Sequence, residues 1–204
     1  MIKKIFTSFG FKSSELSSLG LDIPDVVVLL LALLIVLIIS IMKEKNIDVR
    51  EKIEFESEEA AANYYVAKLR EQVIYEGADN VAAIVMETIT GSNGVIIPPK
   101  GYLNGVRKIC DEFGIMMICD EVMAGFGRTG KMFAFENFGV KPDIVSFAKG
   151  VTCGYVPLGG VIVSEKIAKF FDETSIGCGL TYSAHPMGCA AAVATLAEYK
   201  NLNI

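Results

Sequence analysis

Apolar and polar positions fall into two periods along this chain, and the changes between them outline its elements. From Ser57 the period is helical. An acidic start, Ser57-Glu58-Glu59, leads into apolar residues at Ala61, Tyr64, Tyr65, Leu69 and Val73, and Gly77 is a natural stop. Residues 81–86 form a short apolar run that reads as a strand with Glu87 at its end. Thr90-Gly91-Ser92-Asn93-Gly94 reads as a turn, and Pro98-Pro99 ends the loop. Residues 102–113 place Leu103, Val106, Ile109, Cys110 and Phe113 on one helical face, with Gly114 as the C-terminal cap. Two more apolar runs, residues 115–119 and 144–147, have the length of buried parallel strands. Residues 150–160 are Gly-rich and loop-like, and 160–163 read as a strand. Ser164 caps a helix through Ile167, Phe170 and Phe171, and residues 188–199 form an Ala-rich helix. These elements predict an α/β fold.

Residues 26–42 follow neither period. They carry no charge and one Ser, and Pro24-Asp25 precede them. A core helix would show a polar face and this run shows none, so a transmembrane helix is favoured over a buried one, at the short end of spanning length. A signal peptide fits less well, because the run starts far in and no small-residue cleavage site follows. Lys43, Lys45, Arg50 and Lys52 lie just after the run, whereas only Lys12 lies comparably near before it. That bias places the C-terminal part in the cytoplasm, anchored to the membrane through residues 26–42. The chain therefore divides into an N-terminal segment, 1–53, and a partial domain, 57–204, with a joint near residues 53–58.

The 204 residues allow one domain plus an appendage, and a net charge of -5 gives no reason to expect nucleic acid binding. Hydrophobic residues make up 52% of the chain, and the 26–42 run accounts for much of the excess. The five cysteines (Cys110, Cys119, Cys153, Cys178 and Cys189) include no C-x-x-C pair, and His185 is the sole histidine. No metal site is expected, and the thiols read as buried and reduced, as in a cytosolic protein.

The chemistry concentrates at residues 115–150. Asp120 directly follows one apolar run and Lys149 closely follows another, with the Gly-rich, basic turn Gly125-Phe126-Gly127-Arg128-Thr129-Gly130 between them. In an open α/β sheet ligands bind beyond the carboxyl ends of the strands, so both groups are delivered to one edge. A carboxylate and an amine at one pocket suit pyridoxal phosphate: the lysine forms a Schiff base with the aldehyde, and the acid keeps the pyridine nitrogen protonated. Taken alone, Asp120 reads as a helix cap and Lys149 as a solvated lysine. The joint pattern favours the chemistry.

DEVMAGFGRTG, followed at this spacing by KPDIVSFAKG, resembles the core of a class III (ω-amino acid:pyruvate type) pyridoxal-phosphate-dependent aminotransferase of fold type I. The resemblance covers residues 57–199 and implies part of the large, cofactor-binding domain, a mostly parallel sheet flanked by helices. It implies Lys149 as Schiff-base lysine and proton shuttle, and Asp120 on the pyridinium. It also implies Val122 against the ring, Thr181 on the phosphate of the neighbouring subunit and Glu87 as substrate gate. Thr181 in that role implies a homodimer with shared active sites. Met123 stands where many members have a glutamine, as in relatives that use pyruvate. Arg128 is expected to hold its loop, and His185 to pack and hydrogen-bond rather than to catalyse.

The matching stretch is the middle of a family chain. The phosphate-cradling turn and stacking aromatic upstream, and the carboxylate-binding arginine downstream, are not in it, so little or no turnover is expected. Residues 1–53 weakly resemble the last membrane helix and tail of membrane-bound O-acyltransferases. The activity implied is transfer of an amino group from an ω-amino donor to an oxo-acid such as pyruvate. The alternatives are a racemase, mutase or decarboxylase on the same Asp–Lys pair, or a non-catalytic membrane-tethered remnant or fusion artefact.

Overall fold

The computed structural model describes residues 54–203. The membrane helix expected at 26–42 and the acyltransferase-like segment lie outside the described residues. Among the described residues no helix is long and apolar enough to cross a membrane.

Helix α1, Glu58–Glu76, starts where the acidic cluster predicts. The Ser57 hydroxyl accepts the Ala60 N–H at 3.1 Å, and Gly77 ends the helix with φ +81°. Its buried stripe keeps the predicted Leu69 and Val73 but not the predicted tyrosines. Ala62 and Val73 are buried and Val66 and Leu69 pack beside the core, whereas Tyr64 and Tyr65 make ring contacts with Phe55 instead. Stepping by four and three residues, 62-66-69-73 lies along one face, and that face meets helix α2, Tyr102–Phe113. The helices touch at Gly105, where an added Cβ would lie 2.3 Å from Val66 Cγ2, so only glycine permits this approach. Helix α2 buries Leu103, Val106, Ile109 and Cys110 as its periodicity predicts.

Among the described residues the strands form one four-stranded sheet in the order β1-β2-β3-β4: Ala83–Glu87, Met116–Asp120, Ile144–Phe147 and Gly160–Val163. The first three are parallel and β4 is antiparallel to β3, so the sheet is mostly parallel, as the resemblance implies. Strand β2 alternates, with Met117 and Cys119 buried and Met116, Ile118 and Asp120 half-buried. The buried set joins Ile84, Val73 and the inner face of α2 in the main core. Strand β4 is an edge and leaves Val161, Ile162 and Val163 exposed.

Asp143 sets the β2–β3 register. Its Oδ2 accepts the Met117 N–H at 2.9 Å and an Arg107 N–H at 2.7 Å, tying the start of β3 to β2 and to α2. Burial works to raise the Asp143 pKa. The Met117 N–H and the Arg107 guanidinium outweigh it and hold the pKa below the ordinary carboxylate value.

Helix α3, Glu165–Phe170, follows Ser164, whose side chain makes no capping bond. The Ser164 N–H donates instead to the Asp143 carbonyl at 2.8 Å. Helix α4, Pro186–Asn201, begins with proline, which suits a first turn that needs no N–H. The segment Ser175–Thr181 between them has no regular structure, is exposed, and falls outside the compact unit that carries the sheet. The thiols are only partly as expected: Cys110 and Cys119 are buried, Cys189 is half-buried, and Cys153 and Cys178 are exposed because both lie in loops.

Candidate active site

The carboxyl ends of β1, β2 and β3 form a single edge. Glu87 pairs in register with Asp120, and Asp120 with Ser146. Residues opposite each other in a sheet point to the same face, so Glu87, Asp120 and Ser146 form one polar row. That face is the half-buried one, opposite Met117 and Cys119. Lys149 comes three residues after Ser146, immediately beyond β3, and is exposed. Asp120 and Lys149 therefore leave adjacent parallel strands at one rim.

Each acid is braced by its own loop. Asp120 Oδ1 accepts the Val122 N–H at 2.9 Å, and Glu87 Oε2 accepts the Gly91 N–H at 2.7 Å. These are local turns, with the acceptor two or four residues before the donor. Val122 is half-buried. The Met123 side chain crosses to the neighbouring loop: a Cβ on Gly91 would lie 2.9 Å from its Cγ and Cε. Glu87, Gly91 and Met123 thus close one side of the rim.

The residue that holds this rim together escaped the sequence reading. Glu121 is fully buried. Its carboxylate accepts the Thr88 hydroxyl at 2.5 Å, the Ala134 N–H at 2.8 Å and the Phe135 N–H at 3.0 Å, while its own N–H donates to the Ser146 carbonyl. One side chain links the ends of β1 and β2 to the 3-10 helix Ala134–Phe138, and the backbone adds β3. Its sequence signal was an acid placed directly after Asp120 and before an apolar, Gly-rich loop.

Beyond β3 the chain turns into a 3-10 helix, Lys149–Thr152, with Lys149 in the left-handed region at φ +48°. A second apolar cluster lies behind it, formed by Phe126, Val151 and Ala192, with Phe133, Phe147, Leu158 and Tyr199 packed around them. The Gly125–Gly130 turn is closed by backbone bonds, Phe126 N–H to the Met132 carbonyl at 2.6 Å and Gly127 N–H to the Lys131 carbonyl at 3.1 Å. Arg128 is exposed in this turn.

The remaining candidates lie elsewhere. Thr181 lies in the exposed segment that the sheet unit does not include. His185 precedes α4 and is exposed, with its ring 6.3 Å from that of Tyr182. Its backbone carbonyl accepts the Cys189 N–H at 3.0 Å.

The donor set at the rim fits pyridoxal phosphate. One Asp120 oxygen is engaged by the loop, and among the described residues no protein donor meets the other. Lys149 has no ion-pair partner among them either.

Known proteins are similar to this chain in sequence and in fold. An ω-aminotransferase of Caulobacter vibrioides is 48% identical over 136 residues, which is 63% of this chain and 30% of that protein. A diaminobutyrate–2-oxoglutarate transaminase of Halomonas elongata is 40% identical over 146 residues, 69% of this chain and 31% of that one. Among solved structures, a taurine:2-oxoglutarate aminotransferase from Bifidobacterium kashiwanohense, in complex with PLP and glutamate, superposes with a TM-score of 0.71. It is 60% identical, and the match covers 72% of this chain and 33% of that one. An (S)-enantioselective ω-transaminase from Thermomicrobium roseum gives a TM-score of 0.72 at 41% identity, over 75% and 35% of the two chains. This chain spans about a third of the length of the curated relatives it matches. The model of the family described as aminotransferase class-III matches residues 38–204, beginning upstream of the expected joint at 53–58. With its parallel strands, its Asp120–Lys149 rim and this match over most of its length, the chain belongs to the class-III aminotransferase family.

Proposed function

We propose that this chain carries the cofactor-binding core of a pyridoxal-phosphate-dependent transaminase. The reaction class is transfer of an amino group from an ω-amino donor to an oxo-acid such as pyruvate. The observation that supports it most is the parallel pairing of β2 with β3, which brings Asp120 and Lys149 to one rim. When bound, pyridoxal phosphate supplies an aldehyde for an amine and a ring that accepts electrons.

In this reading Lys149 is the amine that would meet the aldehyde and, once released, would carry a proton between the nitrogen-bearing carbon of the substrate and the former aldehyde carbon of the cofactor. Asp120 faces the pyridine nitrogen with the oxygen left over from its bond to Val122. Val122 packs on the ring. Glu87, braced by Gly91, gates the donor. Thr181 binds the phosphate of a second subunit, so the assembly is a homodimer with shared sites. Met123 places a thioether where a polar partner for the cofactor would otherwise stand, which suits pyruvate as acceptor. A membrane anchor in residues 26–42 remains part of the proposal for the N-terminal segment.

Borohydride reduction of the chain incubated with pyridoxal phosphate, followed by peptide mapping, tests the site. The expected result is cofactor fixed on Lys149 in excess over every other lysine, with the visible absorbance band lost in Lys149→Ala. Label spread evenly over the lysines overturns the reading. A nitrogen-labelled donor and added pyruvate test the reaction: labelled alanine supports transamination, while a racemised or decarboxylated donor without nitrogen transfer supports the rival chemistries.

A further inference from the structure

Lys149 has an unusual backbone for its residue type. It follows an extended Ala148 (φ -160°) and turns left-handed at φ +48°, a conformation that a side chain disfavours and that glycine adopts freely. Such strain persists only where the surroundings hold it. The next peptide shows what does so here. An added Cβ on Gly150 would lie 2.6 Å from Phe126 Cβ, so Phe126 lies flush on the Gly150 backbone. Phe126 is itself left-handed at φ +59° and is held edge-on against Phe133 at 5.4 Å and Phe147 at 5.7 Å. The Tyr199 hydroxyl on α4 donates to the Gly150 carbonyl at 3.2 Å. The same carbonyl accepts the Cys153 N–H at 3.2 Å, and the Cys153 thiol lies 3.7 Å from it and 3.5 Å from the Tyr199 hydroxyl. Residues 126 and 199 thus grip the Lys149–Gly150 peptide between a loop and a helix 49 residues further along the chain.

We propose that Tyr199 is a positioning residue for Lys149, acting through the Gly150 carbonyl and against Phe126 to keep the Lys149 backbone left-handed at the rim. The proposal rests on the transaminase reading of the site. The tyrosine touches neither cofactor nor substrate. Its hydroxyl orders the peptide that carries the reacting amine, and its ring, 6.2 Å from that of Phe126, supplies the packing. Phenylalanine at 199 removes the first contribution and keeps the second.

Limited digestion of the cofactor-free chain with a lysine-specific protease reads the ordering directly, because Lys149 is exposed. In Tyr199→Phe, cleavage after Lys149 should rise about fivefold, the factor that corresponds to one net hydrogen bond. Cleavage after Lys108 and Lys166 should be unchanged. Gly150→Ala, which displaces Phe126, should raise the same cut by at least as much. Borohydride trapping should show the share of cofactor on Lys149 falling in both variants. Cleavage after Lys149 that is unchanged in both, or that rises equally after Lys108 and Lys166, overturns the proposal. Wild-type protein that fixes no more cofactor on Lys149 than on Lys166 overturns the transaminase reading and the proposal with it. Wild-type labelling of Lys149 with unchanged cleavage in the variants overturns the proposal alone.

Discussion

Asp120 and Lys149 share a rim but rest on different foundations. Beneath Asp120, β2 lies on a dry core in which Val106, Cys110, Met117 and Cys119 have no measurable exposure and Leu103 is 1% exposed. Helices α1 and α2 cover that side, and the acid emerges from the end of a paired strand. Behind Lys149 the buried residues are Phe126, Val151 and Ala192, and the aromatic rings around them are half-buried. The amine sits beyond its strand, on a turn with a left-handed first residue. The contrast suits the two tasks proposed for these residues. A partner for a fixed ring nitrogen gains from rigidity. An amine that must bond, release and move a proton needs a mount that is ordered but able to shift.

Glu121 carries the largest expected effect, because it anchors the rigid side. Glu121→Ala leaves the Thr88 hydroxyl and the Ala134 and Phe135 N–H groups without their buried acceptor, and should cost about 3–5 kcal/mol in chemical denaturation. A loss under about 1 kcal/mol would mean that the rim is not held from this point.

Two valines sharpen the contrast further. Val106 and Val151 are 0% and 3% exposed, so truncation to alanine removes the same atoms from each. Val106→Ala should cost about 2–3 kcal/mol, the transfer term plus a cavity that close-packed neighbours cannot fill. Val151→Ala should cost about 1–2 kcal/mol, since half-buried rings can close in. Equal costs would erase the distinction between the clusters.

Asp143 offers a pH test on the rigid side. Its folded pKa lies below 3.8, so its stabilisation is present above the unfolded value and is lost as pH falls through the folded one. Asp143→Asn should therefore cost about 1–3 kcal/mol at neutral pH, with the gap to wild type shrinking as pH drops below 3.8. A gap that stays constant down to pH 2 would remove the ion pair from the account.

The smallest effect is one of labelling. Burial pushes the Cys110 and Cys119 thiols up to about 11, while Cys153 and Cys178 are exposed. At neutral pH a thiol reagent should modify Cys153 and Cys178 in the native protein, and Cys110 and Cys119 only after unfolding. Early labelling of Cys119 would show that the core beneath Asp120 opens.

Much of the fold was legible because its elements obey one period each. Helix α2 and strands β3 and β4 lie at their predicted bounds. Helix α1 is where its start and stop residues put it, yet its buried stripe runs through Ala62 and Val66, because Gly105 of α2 opens a slot there. Asp120 and Lys149 were readable because each follows an apolar run closely. Glu121, Asp143 and Tyr199 were not. Their partners lie 13 to 49 residues away, and although Glu121 directly follows Asp120 ahead of a Gly-rich loop, nothing local tells which distant N–H or carbonyl such a side chain will meet.

The order of residues alone determines the α/β alternation, the ends of the helices and the presence of an acid and an amine after successive strands, since each depends on neighbours within a few positions. Tertiary structure alone decides that β2 and β3 are adjacent and in the register that aligns Asp120 with Ser146. It also decides that Glu121 turns inward to bind three donors, and that a tyrosine on α4 reaches the peptide behind Lys149. Those outcomes depend on which surfaces meet when loops close, and the free energy of that meeting is shared among residues far apart in the chain.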